Sequence, residues 1–145
     1  VDLALAVDAD GIHIGQTDLP PQVVRQLIGN NKILGLSTHS IAEIQAAAAS
    51  GIADYIGVGP IFSTDTKKDA SSPVGLELVR YAAEHSKLPF VVIGGIKTAN
   101  IAQVKCAGAA VFAIISEIVS AADIPAAVAS LRQQLAIGDF NIQVD

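Results

Sequence analysis

Five short apolar runs, each closed by glycine or a polar residue and each followed by a stretch of helical character, leave this chain few ways to fold. The runs are GIHIG (11–15), ILGLS (33–37), DYIGVG (54–59), FVVIGG (90–95) and AVFAIIS (110–116). Short, bounded and almost wholly apolar, they read as buried strands. Between and after them come PPQVVRQLIG, SIAEIQAAAASG, VGLELVRYAAEHS, TANIAQVKCAGA and DIPAAVASLRQQL, which read as helices. Pro20 and Pro21 suit a first helical turn, Ser40, Thr98 and Asp123 suit caps, and Gly29, Gly51 and Gly108 suit a left-handed exit. Strict alternation of strand and helix predicts an α/β fold with a parallel sheet covered by helices. Ahead of the first strand, VDLALAVDADG reads as the tail of a helix already under way, and the chain has no methionine. Translation is therefore expected to start upstream of Val1.

Composition narrows the function classes. A chain of 145 residues, 51% of them hydrophobic, can bury the core of one domain. A net charge of −5, with no basic cluster beyond Lys67–Lys68, argues against nucleic acid as a partner, because such binding rests on neutralising phosphates. The longest apolar run, AGAAVFAIIS, is far shorter than the ~20 residues a membrane span needs, and nothing resembles a signal peptide. One cysteine, Cys106, cannot form an internal disulfide and sits in the apolar helical pattern IAQVKCAGA. A buried structural thiol and a cytoplasmic location are expected.

The spacing of the runs singles out one loop. Strand centres at Ile12, Leu34 and Ile56 lie 22 residues apart, and 21 residues separate Val92 from Ala113, but 36 separate Ile56 from Val92. The excess lies between Ser63 and Val74, directly after a strand end, and it opens with hydroxyls and two lysines. Long loops in βα units are usually functional, and parallel sheets bind ligands at the carboxyl ends of their strands. Gly57 and Gly59 share one strand face, a pattern that signals close approach by a ligand or another backbone.

Parallel strands would gather Gln16 and Asp18, Ser37 to His39, Thr64 to Lys67, Gly94–Gly95 and Ser116 on one rim. Asp18 is suited to Mg²⁺ and equally suited to capping the helix that DLPP introduces. The Gly94–Gly95 turn and the Ile115–Ser116 end have the character of a phosphate cradle of backbone N–H groups. His13 alternates with Ile12 and Ile14 and is expected to be a hydrogen-bonded core residue. His39 sits either on the rim or in a first helical turn, and His85 ends a helix, where its charge is favourable. No pair of histidines has zinc-ligand spacing and no catalytic triad can be assembled.

Together, GIHIGQTD (11–18), GLSTHS (35–40), DYIGVGPIFSTDTKKD (54–69), VVIGGI (91–96) and the IIS ending at Ser116 resemble the thiamine phosphate synthase family. The resemblance covers residues 1 to about 135. Residues 136–145 form a tail that matches nothing. It implies a (β/α)₈ TIM barrel of which strands four to eight are present. The family's Gln-x-Arg-Glu-Lys segment and Asn-Asp pair would then lie before Val1. The implied reaction joins hydroxymethylpyrimidine pyrophosphate to thiazole phosphate, with Mg²⁺, giving thiamine phosphate and pyrophosphate. By position, the resemblance assigns Asp18 to the metal, Ser37 and Lys67 to the pyrimidine pyrophosphate, and Thr64, Asp65, Thr66, Gly95, Ile115 and Ser116 to the thiazole phosphate. Glu117 departs from the family, which usually has a small residue there. A thiazole tautomerase on the same fold, and an inactive fragment of the barrel, are the competing readings. An open five-stranded sheet would also have edges to cover, which a homo-oligomer can do.

Overall fold

The computed structural model describes residues 1–64, 66 and 72–137. A short helix α1 (Asp2–Ala6) leads into β1 (Gly11–Ile14). There follow α2 (Pro21–Ile28), β2 (Ile33–Thr38), α3 (Ile41–Ser50), β3 (Tyr55–Val58), α4 (Gly75–His85), β4 (Phe90–Ile93), α5 (Ile101–Cys106), β5 (Phe112–Ala113), α6 (Ser116–Val119) and α7 (Ile124–Ile137). The strands pair in parallel in the order β1-β2-β3-β4-β5, as the alternation requires. β2 runs one residue beyond its apolar run, and the other strands are shorter than theirs, most of all β5, where only Phe112–Ala113 pair out of AVFAIIS. Helix α7 runs two residues beyond position 135.

Register explains which residues form the core. Ile12 lies beside Leu34, Ile14 beside Leu36, and Leu36 beside Ile56. Thr38 pairs with Val58, which pairs with Val92. These residues share the face that meets the helices, and Leu34, Ile56, Val58 and Val92 have no solvent-exposed surface. Helices contribute Val24, Ile44, Val79, Ile101, Val104 and Leu131 to the same core. Thr38 is buried among them at little cost, because its Oγ1 donates to Gly57 O at 2.9 Å.

Local punctuation behaves partly as expected. Ser40 Oγ accepts the Glu43 N–H, and Asp123 Oδ1 accepts the Ala126 N–H, so both cap. Thr98 does not: α5 begins at Ile101, and Asn100 closes the preceding turn by accepting the Lys97 N–H. Gly29, Gly51 and Gly108 all take positive φ. Cys106 corrects the expected buried thiol, for it is exposed. Ile101 and Val104 of α5, with Ala107 just after it, form the inward stripe, and position 106 falls outside it.

At the amino ends of the strands, one side chain ties two turns together. Arg25 Nη1 donates to Gly29 O and Lys32 O, and Nη2 donates to Ile52 O at 2.9 Å and to Asp54 Oδ2 at 2.7 Å. Asp54 Oδ2 in turn accepts the Leu34 N–H at 2.7 Å, at the start of β2. The Leu34 amide, with Arg25 adding to it, outweighs burial and holds the Asp54 carboxyl below its usual value. Arg25→Lys is expected to cost about 1.5–3 kcal/mol in chemical denaturation, because an ammonium cannot reproduce the planar fork. Because the folded pKa of Asp54 is depressed, its contribution is full above about pH 4 and is lost as pH falls through the folded value. The stability gap between wild type and Asp54→Asn should therefore narrow on acidification.

Candidate functional site

All five carboxyl strand ends reach one edge of the sheet, and the face away from the helices carries the polar side chains that lead to it. On that face His13, Gly35 and Tyr55 stand in one row, and Ser37, Gly57 and Val91 stand in the next. His13 Nδ1 lies 3.0 Å from the Tyr55 hydroxyl, and Nε2 lies 2.9 Å from Ser37 Oγ. Which ring nitrogen donates and which accepts depends on the tautomer.

Glycine makes this row possible. A Cβ at Gly35 would come 2.3 Å from Tyr55 Cζ and 2.4 Å from His13 Nδ1, and one at Gly57 would come 3.2 Å from His13 Cε1. The space predicted beside Gly57 is thus filled by the imidazole. His13 itself is a correction: it is hydrogen-bonded as expected, yet exposed rather than a core residue. The helix layer covers only the opposite face of β1. At Gly59 the close approach is that of another backbone, since a Cβ there would meet Ile93 O at 2.2 Å.

Asp18 is not a helix cap. Pro20 holds that position for α2, and Asp18 Oδ2 accepts the Gly15 N–H at 2.7 Å, closing the turn after β1. Gln16 reaches across from the same turn and donates to Ser37 O at 2.6 Å. His39 lies on the rim: its Nδ1 bonds Gly59 O, and its N–H donates to Glu43 Oε2. His85 ends α4 as predicted and stacks on Tyr81.

The loop after β3 is fixed at its base. Ile61 N–H donates to Ile93 O at 3.0 Å and Phe62 N–H to Gly94 O at 3.1 Å, which carries the segment along β4. On the returning side, Val74 N–H donates to Pro60 O and Gly75 N–H to Ile61 O. Gly94 and Gly95 have φ of 98° and 64° and lie against this base. A Cβ at Gly94 would stand 2.4 Å from Pro60 Cβ, and one at Gly95 would stand 2.6 Å from Ser63 O. Above the base, Thr64 Oγ1 donates to Thr66 Oγ1 and accepts the Thr66 N–H. Asp65 and Lys67 lie outside the described residues. Ile115 and Ser116 stand where β5 passes into α6, and both are exposed.

The structure therefore brings Ser37, Gln16 and Asp18 together through β1 and β2, and Thr64, Thr66 and Gly95 together through the loop base. Tyr55 and Gly35 are the members of the site that strand pattern alone passed over. Residue parity along β1, β2 and β3 would have placed them beside His13 once the register was known. Among the described residues no three His, Cys, Asp or Glu side chains form a group able to hold a metal, and no helix is long and apolar enough to cross a membrane.

Comparison with known proteins bears on this site. A family model described as thiamine monophosphate synthase matches residues 1–118. The thiamine-phosphate synthase of Pelotomaculum thermopropionicum is 58% identical over 132 residues, 91% of this chain and 60% of that protein. That of Chloroflexus aurantiacus is 50% identical over 137 residues, 94% of this chain and 62% of that protein. Among solved structures, a thiamine phosphate pyrophosphorylase from Pyrococcus furiosus superposes with a TM-score of 0.82 at 38% identity, covering 94% of this chain and 64% of that one. A 3-hexulose-6-phosphate synthase follows with a TM-score of 0.61 at 26% identity, over 92% and 65%. The chain spans about three fifths of the length of the curated relatives it matches.

The row built on Gly35 yields a direct test. Gly35→Ala should lower stability by about 1–3 kcal/mol, since the methyl must displace two rings, whereas Gly51→Ala, with open space around it, should cost only the strain of its positive φ. Parallel denaturation curves of the two variants measure the difference, and an equal, small loss in both would refute the packing of this row.

Proposed function

The chain belongs to the thiamine monophosphate synthase family, and on that premise we propose that it supplies strands four to eight of a (β/α)₈ barrel that makes thiamine phosphate. The observation that carries this reading is the rim: the Pro60–Ser63 base clamped to Gly94–Gly95 on the same end of the sheet as Ser37 and Asp18, in a chain 58% identical to a thiamine-phosphate synthase. The barrel is supported by five parallel strands in chain order and by a hollow of about 470 Å³ along the open side of β1. Leu5, Ile12, Leu19 and Leu27 line it, apolar surface that further strands would cover.

In the proposed reaction the thiazole nitrogen lone pair forms a bond to the methylene carbon of hydroxymethylpyrimidine pyrophosphate. The bond from that carbon to oxygen breaks, and its electron pair leaves with pyrophosphate. No proton is taken from carbon, so neither a nucleophilic side chain nor a paired acid and base is needed. The work is alignment of the acceptor and stabilisation of the leaving anion. Ser37, its hydroxyl held by His13, and Lys67 act on the pyrimidine pyrophosphate. Thr64, Asp65, Thr66, Gly95, Ile115 and Ser116 hold the thiazole phosphate, with hydroxyls and amides suited to phosphate oxygens.

Asp18 suits Mg²⁺, which takes one or two carboxylates and completes its shell with water and phosphate oxygens. Its carboxylate is exposed on the rim, with one oxygen oriented by the Gly15 amide. A bound ion would supply positive charge to the departing pyrophosphate.

The test is synthesis of thiamine phosphate by the gene product that carries this chain. Lys67→Ala should lower turnover at least about tenfold, as loss of a preorganised charge does, and activity within about twofold of wild type would overturn its role. Asp18→Asn should raise the Mg²⁺ concentration needed for half-maximal rate with little change in melting temperature. An unaltered titration would remove Asp18 from the metal site. Isomerisation of thiazole phosphate without formation of thiamine phosphate would replace this reading with the tautomerase.

A further inference from the structure

Glu117 brings a negative charge to the edge of the proposed phosphate cradle, where an anion would be repelled. It follows Ser116 in the first turn of α6, and its Oε1 accepts the Thr98 N–H at 2.9 Å. Thr98 lies midway along the loop from Gly94 to Asn100, which is also braced internally. Asn100 Oδ1 accepts the Lys97 N–H at 2.7 Å, and its Nδ2 donates to Gly95 O at 3.0 Å. The same loop presses Gly94 and Gly95 against Pro60–Ser63.

What Glu117 joins is otherwise weakly joined. β4 and β5 pair only through Val92 with Phe112 and Ile93 with Ala113, the last residues of the two strands, so the ladder stops short of Gly95 and Ser116. Beyond that point, the bond from Thr98 to Glu117 connects the loop carrying Gly95 to the segment carrying Ser116. We propose that Glu117 is a positioning residue for the thiazole phosphate, locking the β4–α5 loop to the start of α6 so that Gly95 and Ser116 are set at a fixed separation before the anion binds. This rests on the assignment of Gly95, Ile115 and Ser116 to that phosphate. The Thr98 amide, then its hydroxyl, and the Lys97 cation hold the Glu117 carboxyl below its ordinary value, so it remains an ionised acceptor at neutral pH. Lys97 also offsets the negative charge that Glu117 brings to an anion site.

Two variants separate the lock from simple charge. Glu117→Gln keeps an oxygen that can accept the Thr98 N–H and removes the charge, whereas Glu117→Ala removes both. Calorimetric titration of the full chain with thiazole phosphate should give a Kd about tenfold weaker for Glu117→Ala and within about threefold of wild type for Glu117→Gln, the pattern of lost preorganisation. Amide exchange across Gly95–Asn100 should quicken in Glu117→Ala while α3 and α4 keep their protection. Equal affinity for wild type and Glu117→Ala, or tighter binding by both variants as charge repulsion requires, would overturn the lock. A folded wild-type chain that binds no thiazole phosphate would instead overturn the substrate assignment on which the lock depends.

Discussion

The contact between the Gly94–Gly95 turn and the Pro60–Ser63 backbone governs how the rim is built. Neither glycine can carry a side chain there, because each Cβ would strike the facing segment at 2.4 Å or 2.6 Å. Their absence lets Ile61 and Phe62 continue hydrogen bonding along β4 after β3 itself has ended. A long loop would ordinarily leave its strand at the first unpaired residue, and here it is carried onward before it departs. The hydroxyls of Thr64 and Thr66 thereby start from a base held to β4 and the turn after it by backbone hydrogen bonds.

The two ends of the sheet divide their tasks in the manner of parallel α/β proteins. At the amino end, Arg25, Asp54 and the Lys32 contact to Asp8 and Ala9 bind turn to turn. Their partners are mostly backbone carbonyls, groups that must be satisfied wherever strands begin. At the carboxyl end, polar side chains contact one another or hold single turns, as His13 does with Ser37 and Asp18 does with Gly15. Contacts that tie turn to turn sit at one end and the polar side chains of the candidate site at the other, so loop variation at the rim need not disturb the fold.

Much of this was legible along the chain. Strand and helix differ in period, and capping by Ser40 or Asp123 acts over three residues, so both signals are local. The residues gathered at the strand ends followed from parallel order alone. What failed had a common origin. The sequence neighbours of Cys106 and His13 do not set their burial, which depends on the face that another layer covers. Thr98 looked like a cap, yet its amide serves Glu117, 19 positions away.

By itself, the sequence determined the α/β class, the parallel order, the site of the long loop and the family, since these rest on local periodicity and on motifs read in a row. Only the tertiary structure decided that Tyr55 meets His13 across Gly35, that Asp18 closes a turn and caps no helix, and that Glu117 faces the Thr98 amide. Each of those contacts depends on how backbone segments come to lie beside one another, whether strands 42 residues apart or a turn whose direction is set by a single amide. Register and turn geometry are settled by the packing of the whole sheet, and no single stretch of chain encodes them.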